Sequence, residues 1–419
     1  MSISGQNGAG DGADNGTGVN TVAEAATVRN TPVHLLEKMY LDPVTQQPMA
    51  RPRAVAQVQG ESLAGHVVEL NDAAGAPVDR GRLTREQKQS ISEASLRTPK
   101  PPWLKVKLPG GGRYSEVASI VREGKLHTIC EEGRCPNIGE CWGKGTATFQ
   151  IMGDTCTRAC RYCAVITGRP ENAPDVLEPG RLANAIRQMG VKHAVITSVD
   201  RDDLEDRGAG HFATVIEVVR RINPGTTIEV LVPDFMGREE QGLQTVIAAR
   251  PDVYSHNTET VPRLYRRLRP IGDFERAMWV LNRSKQIARD LGQQPLMTKT
   301  GIIAGMGETI QELKDTLERV REQNVDVVTI GQYLRPTRKH LPVDRYVTPD
   351  EFDELHVFGM SLGFGSVFSG PLVRSSYKAD EQRFAALDPT GTTKLTSGLP
   401  PRIAAEQLAT VGTVPDWKR

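Results

Sequence analysis

Ala147-Thr-Phe-Gln-Ile-Met152-Gly-Asp-Thr-Cys156-Thr-Arg-Ala-Cys160-Arg-Tyr-Cys163 joins a short apolar run to three cysteines in a C-x3-C-x2-C loop. The run opens a series. His193 to Ser198, Thr227 to Val232, Asp252 to His256, Met297 to Ile303 and Asp326 to Gly331 are likewise short and strand-like. Between them lie segments with helical spacing, such as Leu182, Ile186 and Met189, or Phe212, Val215, Val218, Val219 and Ile222. Six strands alternating with helices predict an α/β fold of parallel βα units with right-handed crossovers. A doubly wound sheet and a full or partial (β/α) barrel both satisfy that pattern.

All six cysteines of the 419-residue chain fall between Cys130 and Cys163. Lys and Arg number 52 against 51 Asp and Glu, a net charge of +1, so overall charge makes no case for a nucleic acid or an anionic membrane as partner. No run of eighteen apolar residues occurs, and the first thirty residues lack the order of a secretory signal. Asp11, Asp14 and Glu24 against Arg29 are the reverse of a transit-peptide composition. The expected location is the cytoplasm, where thiols stay reduced and clustered cysteines serve metal or redox chemistry.

The cysteines divide into two triples. Cys130-Glu-Glu-Gly-Arg-Cys135-Pro-Asn-Ile-Gly-Glu-Cys141 is a C-x4-C-x5-C run, and Cys156, Cys160 and Cys163 form the second group. Three soft thiolates leave one iron of a four-iron, four-sulfur cube without a cysteine ligand, and an open iron is where chemistry can occur. The competing reading is a zinc-stabilised binding protein without catalysis. Only Cys160 to Cys163 has knuckle spacing, however, and His127, the one close imidazole, reads as structural.

Cys156-x3-Cys160-x-Tyr162-Cys163 resembles the cluster motif of the radical S-adenosylmethionine superfamily, and the wider stretch resembles the lipoyl synthase family. The supporting segments are Cys130 to Trp142, Gly153-Asp-Thr-Cys-Thr-Arg158, Thr197-Ser-Val-Asp-Arg-Asp-Asp-Leu204, His256-Asn-Thr-Glu-Thr260, Gly331-Gln-Tyr-Leu-Arg-Pro336 and Arg374-Ser-Ser-Tyr377. The resemblance selects a partial (β/α)6 barrel over the doubly wound sheet. It implies two 4Fe-4S clusters: one on Cys156, Cys160 and Cys163 that binds and cleaves S-adenosylmethionine, the other an auxiliary cluster on Cys130, Cys135 and Cys141. The auxiliary cluster's fourth ligand would be Ser376, with Ser375 as the alternative, and both clusters would meet at the mouth formed by the carboxyl ends of the strands. The implied reaction inserts sulfur at C6 and C8 of an octanoyl chain amide-linked to a lysine of a carrier domain. Those C–H bonds are too weakly acidic for any general base, so a radical route is required. Another sulfur-inserting or methylthiolating radical enzyme is the nearest alternative.

The same resemblance implies partners: octanoylated carrier domains (the glycine cleavage H protein and the E2 subunits of 2-oxoacid dehydrogenases), a flavodoxin- or ferredoxin-type electron donor, and a cluster-repair protein. It also marks Tyr162, Thr197, Ser198, Asn257, Glu259, Gly305 and Arg335 as cofactor-binding candidates. Gly301-Ile-Ile-Ala-Gly305-Met-Gly-Glu308 resembles the superfamily strand that lies along the adenine, with Glu308 expected to begin a helix. Asp200, Asp202 and Asp203 are candidates for the cofactor's polar groups or for a solvated loop. Arg263, Arg266, Arg267 and Arg269 read as a solvated basic face, and Trp103 and Trp142 as packing residues. One departure stands out: Lys378 follows Tyr377 where relatives usually carry histidine, replacing a titratable ring with a fixed ammonium. The expected organisation is an extension over 1–98 with about the first 30 residues disordered, a core over 99–382, and a tail over 383–419. The core holds the first cysteine segment 130–141, a barrel over about 147–370 and the serine motif 374–377.

Overall fold

A computed structural model describes residues 99–106 and 109–387. The extension 1–98 with its expected disorder, and the tail beyond 387, lie outside the described residues. Ten strands occur among the described residues: β1 (His127–Thr128), β2 (Thr148–Ile151), β3 (Thr155–Cys156), β4 (Ile166–Thr167), β5 (His193–Ser198), β6 (Thr227–Leu231), β7 (Val253–Ser255), β8 (Met297–Ala304), β9 (Val327–Gln332) and β10 (Ser366–Gly370). Eight of them form one sheet in the order β1-β2-β5-β6-β7-β8-β9-β10. From β2 to β10 every pairing is parallel, and only β1 runs antiparallel to its neighbour. The two edges, β1 and β10, do not pair with each other, so the barrel is partial and open along one side.

Helices follow the strands as parallel crossovers require. Glu178–Met189 leads into β5 and ends at Gly190, whose φ of 67° closes the helix in the left-handed region. Its Leu182, Ile186 and Met189, spaced four and three apart, are all buried; each such side chain contributes about 1.5–3 kcal/mol by leaving water. Thr309 caps Ile310–Glu322, and its reciprocal partner is Glu312. Glu308 therefore precedes that helix, and its buried carboxylate accepts the Gly305 and Met306 amides instead.

The period-two alternation of the strands separates two environments. Phe149, Ile196, Val230 and Tyr254 pack outward in one apolar cluster, and Ile302, Val328, Ile330 and Val367 in another. The opposite positions are polar: Gln150, Thr197, Glu229, Ser255, Lys299 and Thr329 are all buried. Lys299 Nζ donates to Glu229 Oε1 at 2.6 Å, and the His193 ring lies 3.2 Å from Glu229 Oε2, which ties β5, β6 and β8 across the interior.

Candidate active site

Met152 and Gly153, with φ of 68° and 94°, turn the chain sharply out of β2 into the second cysteine group. Pairing of Thr155 with Ile166 and of Cys156 with Thr167 pins both ends of that loop. The Asp200 and Arg158 amides donate to Cys156 Sγ at 3.3 and 3.5 Å, and the Thr157 amide donates to the Asp200 carbonyl at 3.0 Å. Arg158, almost fully buried, donates to both Asp202 carboxylate oxygens at 2.8 Å and to Asp234 Oδ1 at 2.6 Å. Burial alone would depress its guanidinium, but Asp202, Asp200 and Asp234 hold it above its ordinary value. One arginine thus clamps the cysteine loop onto the segments after β5 and β6. On the other flank the Cys163 amide donates to the Cys160 carbonyl at 3.1 Å, and the His340 ring donates to the Cys163 carbonyl at 2.8 Å. Burial pushes the Cys160 thiol up and those of Cys156 and Cys163 to about 12. Without a cation these thiols keep their protons at neutral pH, so metal uptake must release them.

The candidates for cofactor contact divide on inspection. Ser198 ends β5, and its buried hydroxyl has no partner among the described residues. Asn257 donates to Glu259 Oε1 at 3.1 Å, while its own Oδ1 is buried without a donor among the described residues, above Gly301, where a Cβ would sit 2.8 Å away. Glu259 takes a left-handed φ of 68° and forms an isolated parallel bridge with Ile302; burial pushes its carboxyl up. Tyr162 lies against the same acid and Arg269, and burial raises its phenol well above the ordinary range. The other three are engaged by the chain itself. Thr197 donates to the Leu231 carbonyl at 3.0 Å, and a Cβ on Gly305 would overlap the Gln332 amide and the Arg345 carbonyl. Arg335 donates to the His340 carbonyl at 2.9 Å and to that of Arg338.

Several expectations about charge change here. Asp202 is taken by Arg158, and Asp203, though exposed, pairs with Arg201. Arg269 is no part of a solvated face: its Nη1 donates to the Asn257 carbonyl at 3.1 Å and to the Tyr265 hydroxyl at 3.0 Å, and its Nε is buried without a partner among the described residues. Burial would lower Arg269, but Tyr162, Tyr265, Glu259 and Cys160 around it raise it well above the ordinary value. Its role was hidden in the sequence because it continues the basic run of Arg263, Arg266 and Arg267, of which the first two are exposed. Arg263 pairs with Glu312 at 2.6 Å.

The first triple lies elsewhere. Cys130, Cys135 and Cys141 line one cavity of about 280 Å³ together with Arg374, Ser376, Tyr377 and Lys378. That volume is far above the ~30 Å³ share of one water. Ser376 lines it and Ser375 does not. The other walls are Gly145 to Thr148 and Met189 to His193, which precede or begin β2 and β5. The two triples therefore do not share the carboxyl-end mouth: the second follows the end of β2, and the first lies toward its beginning, at the open side of the barrel. Asn137 Nδ2 donates to the Leu372 carbonyl at 2.7 Å, and the Tyr377 hydroxyl donates to Glu140 at 3.2 Å, fastening the cysteine segment to the serine segment. Burial raises all three thiols, Cys130 to about 11 and Cys141 to about 12. Trp142 is buried against Tyr114, with ring centroids 5.3 Å apart, and His127 meets Glu132 at 3.1 Å. Among the described residues no three His, Cys, Asp or Glu side chains gather tightly enough for a single metal ion. A cube differs in presenting separate irons to separate thiolates.

Comparison with known proteins identifies the family. The model of the radical SAM superfamily matches residues 151–320, and that of the N-terminal domain of lipoyl synthase matches residues 68–135. The lipoyl synthase of Rubrobacter xylanophilus is 52% identical over 283 residues, covering 68% of this chain and 86% of that protein. The chain belongs to the lipoyl synthase family. The lipoyl synthase of Thermus thermophilus is 47% identical over 314 residues, 75% of this chain and 95% of that protein. Among solved structures, that of HydG, a maturase of the FeFe-hydrogenase, covers 73% of this chain and 70% of its own at 12% identity and a TM-score of 0.44.

Lipoyl synthases are radical SAM sulfurtransferases, and membership implies S-adenosylmethionine and 4Fe-4S chemistry. The residues present fit both. Each triple offers soft sulfur donors, and the orphaned polar atoms beside the second triple suit an amino acid ligand: Ser198 Oγ and Arg269 Nε can donate to a carboxylate, and Asn257 Oδ1 can accept from an ammonium.

Proposed function

We propose that this lipoyl synthase inserts sulfur at C6 and C8 of an octanoyl group held by a lysine of a lipoyl carrier domain, using two 4Fe-4S clusters with distinct tasks. The observation that carries this reading is the separate donor set of the first triple: Cys130, Cys135, Cys141 and Ser376 around one cavity, apart from the loop of Cys156, Cys160 and Cys163. When bound, the cluster on the second triple supplies the electron that splits S-adenosylmethionine to a 5′-deoxyadenosyl radical, and that on the first triple supplies sulfur. Ser198, Asn257, Glu259 and Arg269 bind the amino acid end of the cofactor, with Tyr162 walling it from solvent. Thr197, Gly305 and Arg335 shape the site from behind. Arg158 keeps Cys156 seated through Asp202 and Asp234. The hydroxyl of Ser376 is a harder donor than a thiolate, so it would hold an iron of the first cluster more weakly than a cysteine does.

The carriers are the glycine cleavage H protein and the E2 subunits of 2-oxoacid dehydrogenases, the electron comes from a flavodoxin- or ferredoxin-type protein, and a repair protein rebuilds the first cluster, all in the cytoplasm. No helix among the described residues is long and apolar enough to cross a membrane.

Anaerobically loaded enzyme is expected to carry about eight irons per chain. Cys130→Ala, Cys135→Ala and Cys141→Ala each reduce iron to about four, still form 5′-deoxyadenosine with dithionite, and make no lipoyl product from an octanoyl-lysine peptide. Ser376→Ala behaves in the same direction and Ser375→Ala like the parent. Product formation by the cysteine variants would overturn the sulfur-donor assignment, and full iron content in Ser376→Ala would overturn the ligand assignment.

A further inference from the structure

The outer surface of the loop carrying Cys160 and Cys163 takes no part in the chemistry above. Both backbone groups of Arg161 are held by other segments: its amide donates to the Leu268 carbonyl at 2.9 Å, and its carbonyl accepts the Leu341 amide at 3.1 Å. Residues 160–163, 265–269 and 337–341 are thereby fixed side by side, with the His340 ring bound to the Cys163 carbonyl as a further tie. Arg161, Arg266, Arg338 and Lys339 are exposed and Arg267 is half-buried. None of the five forms an ion pair among the described residues. Burial and the nearby Arg161 and Arg263 cations depress the Arg267 guanidinium, a sign that like charges are held close there. The chain as a whole balances 52 basic against 51 acidic residues, so this concentration is local. Uncompensated like charges cost stability unless another surface meets them.

We propose that this surface docks an acidic one-electron carrier of the flavin or iron–sulfur type, which passes its electron across the Arg161 loop to the cluster of the second triple. The proposal rests on the cofactor-cleaving role given to that triple. Geometry favours this occupant over the acylated carrier domain. An octanoyl chain must reach the cavity of the first triple, which is walled by Met189 to His193 and Ser376 to Asp380 and by none of the basic segments.

The test uses cluster-loaded full-length enzyme and compares two reductants. Arg266→Glu/Arg338→Glu/Lys339→Glu changes exposed side chains that hold neither cluster nor cofactor, and Arg122→Glu, exposed on the helix Gly112–Glu123, is the charge control. With reduced flavodoxin the triple variant should form 5′-deoxyadenosine about tenfold more slowly or worse, while dithionite drives it at the parental rate and the control is unaffected in both. Parental binding of flavodoxin should weaken steeply between 50 and 200 mM salt, and that of the variant should be weak and flat. Parental rates with flavodoxin, or salt-independent binding by the parent, would overturn the proposal. So would a variant that keeps its flavodoxin rate but loses affinity for octanoylated H protein, which would assign the surface to the carrier. If the parent made no 5′-deoxyadenosine even with dithionite, the cofactor-cleaving reading itself would have failed.

Discussion

His256 shows how one buried side chain writes a pH dependence into the fold. It follows β7 with almost no exposure, and its Nδ1–H donates to the Val232 carbonyl at 2.9 Å. Burial, reinforced by the Arg269 and Arg158 cations, outweighs the pull of Asp234 and lowers the imidazole to about 4. The unfolded chain takes up this proton near pH 6.5, and the folded chain resists it until about 4. Stability is therefore whole above pH 6.5 and falls as pH drops toward 4, by about 1.4 kcal/mol per unit and roughly 3 kcal/mol across the window. Asp234, held far below the ordinary carboxylate range chiefly by Arg158 against its burial, loses its contribution only at lower pH, once its unfolded form titrates. His256→Gln keeps an N–H for Val232 without a titrating ring. Urea midpoints at pH 7, 6, 5 and 4.5 should fall less steeply for the variant than for the parent, and parallel curves would refute the assignment. Neither this role nor that of Arg269 was legible in the sequence, because both depend on which cations a long loop folds back upon a ring.

Among elements, the strands were legible where β-branched apolar residues run together, as in Ala194 to Ile196 of β5 or Val327 to Ile330 of β9, and the helices where Leu182, Ile186 and Met189 repeat. β10 was not, because Ser366-Val-Phe-Ser-Gly370 has small or polar residues at three of five positions and owes its pairing to β9 alone. Gly331 in β9 belongs to this scale as well: a Cβ there would overlap the Val373 carbonyl, so the serine segment can lie flat on the sheet only over glycine. The barrel interior carries a further element-level device. Lys299 of β8 reaches Glu229 of β6 past β7, with both side chains about 1–2% exposed, and holds that carboxyl below its ordinary range against burial. Losing one partner strands a buried charge. Lys299→Met should thus cost about 3–5 kcal/mol in urea unfolding, and adding Glu229→Leu should recover most of it. Equal destabilisation by the single and double variants would mean that packing volume, and not charge, decides the site.

At the scale of the whole molecule, the open side of the barrel is the structural problem, since β1 and β10 present edges that no strand among the described residues covers. The helix Ala379–Leu387 and the serine segment occupy that side, fastened to the cysteine segment by Asn137 to Leu372 and Tyr377 to Glu140. Neutral or singly charged polar ties of this kind contribute only about 1 kcal/mol each. A cluster held jointly by Cys130, Cys135, Cys141 and Ser376 would cross-link residues more than two hundred positions apart, and metal ligation that exists only in the folded state is folding free energy. Such a cluster would therefore strap the barrel shut. Hydrogen exchange read by mass, comparing loaded parent with Cys130→Ala/Cys135→Ala/Cys141→Ala, is expected to show faster exchange over 130–143 and 371–387. Amides of β5 to β8, buried under their helices, keep parental protection. Uniform loosening across all strands would mean that the triple supports the core directly, and unchanged exchange at the open side would mean that the polar ties suffice without metal.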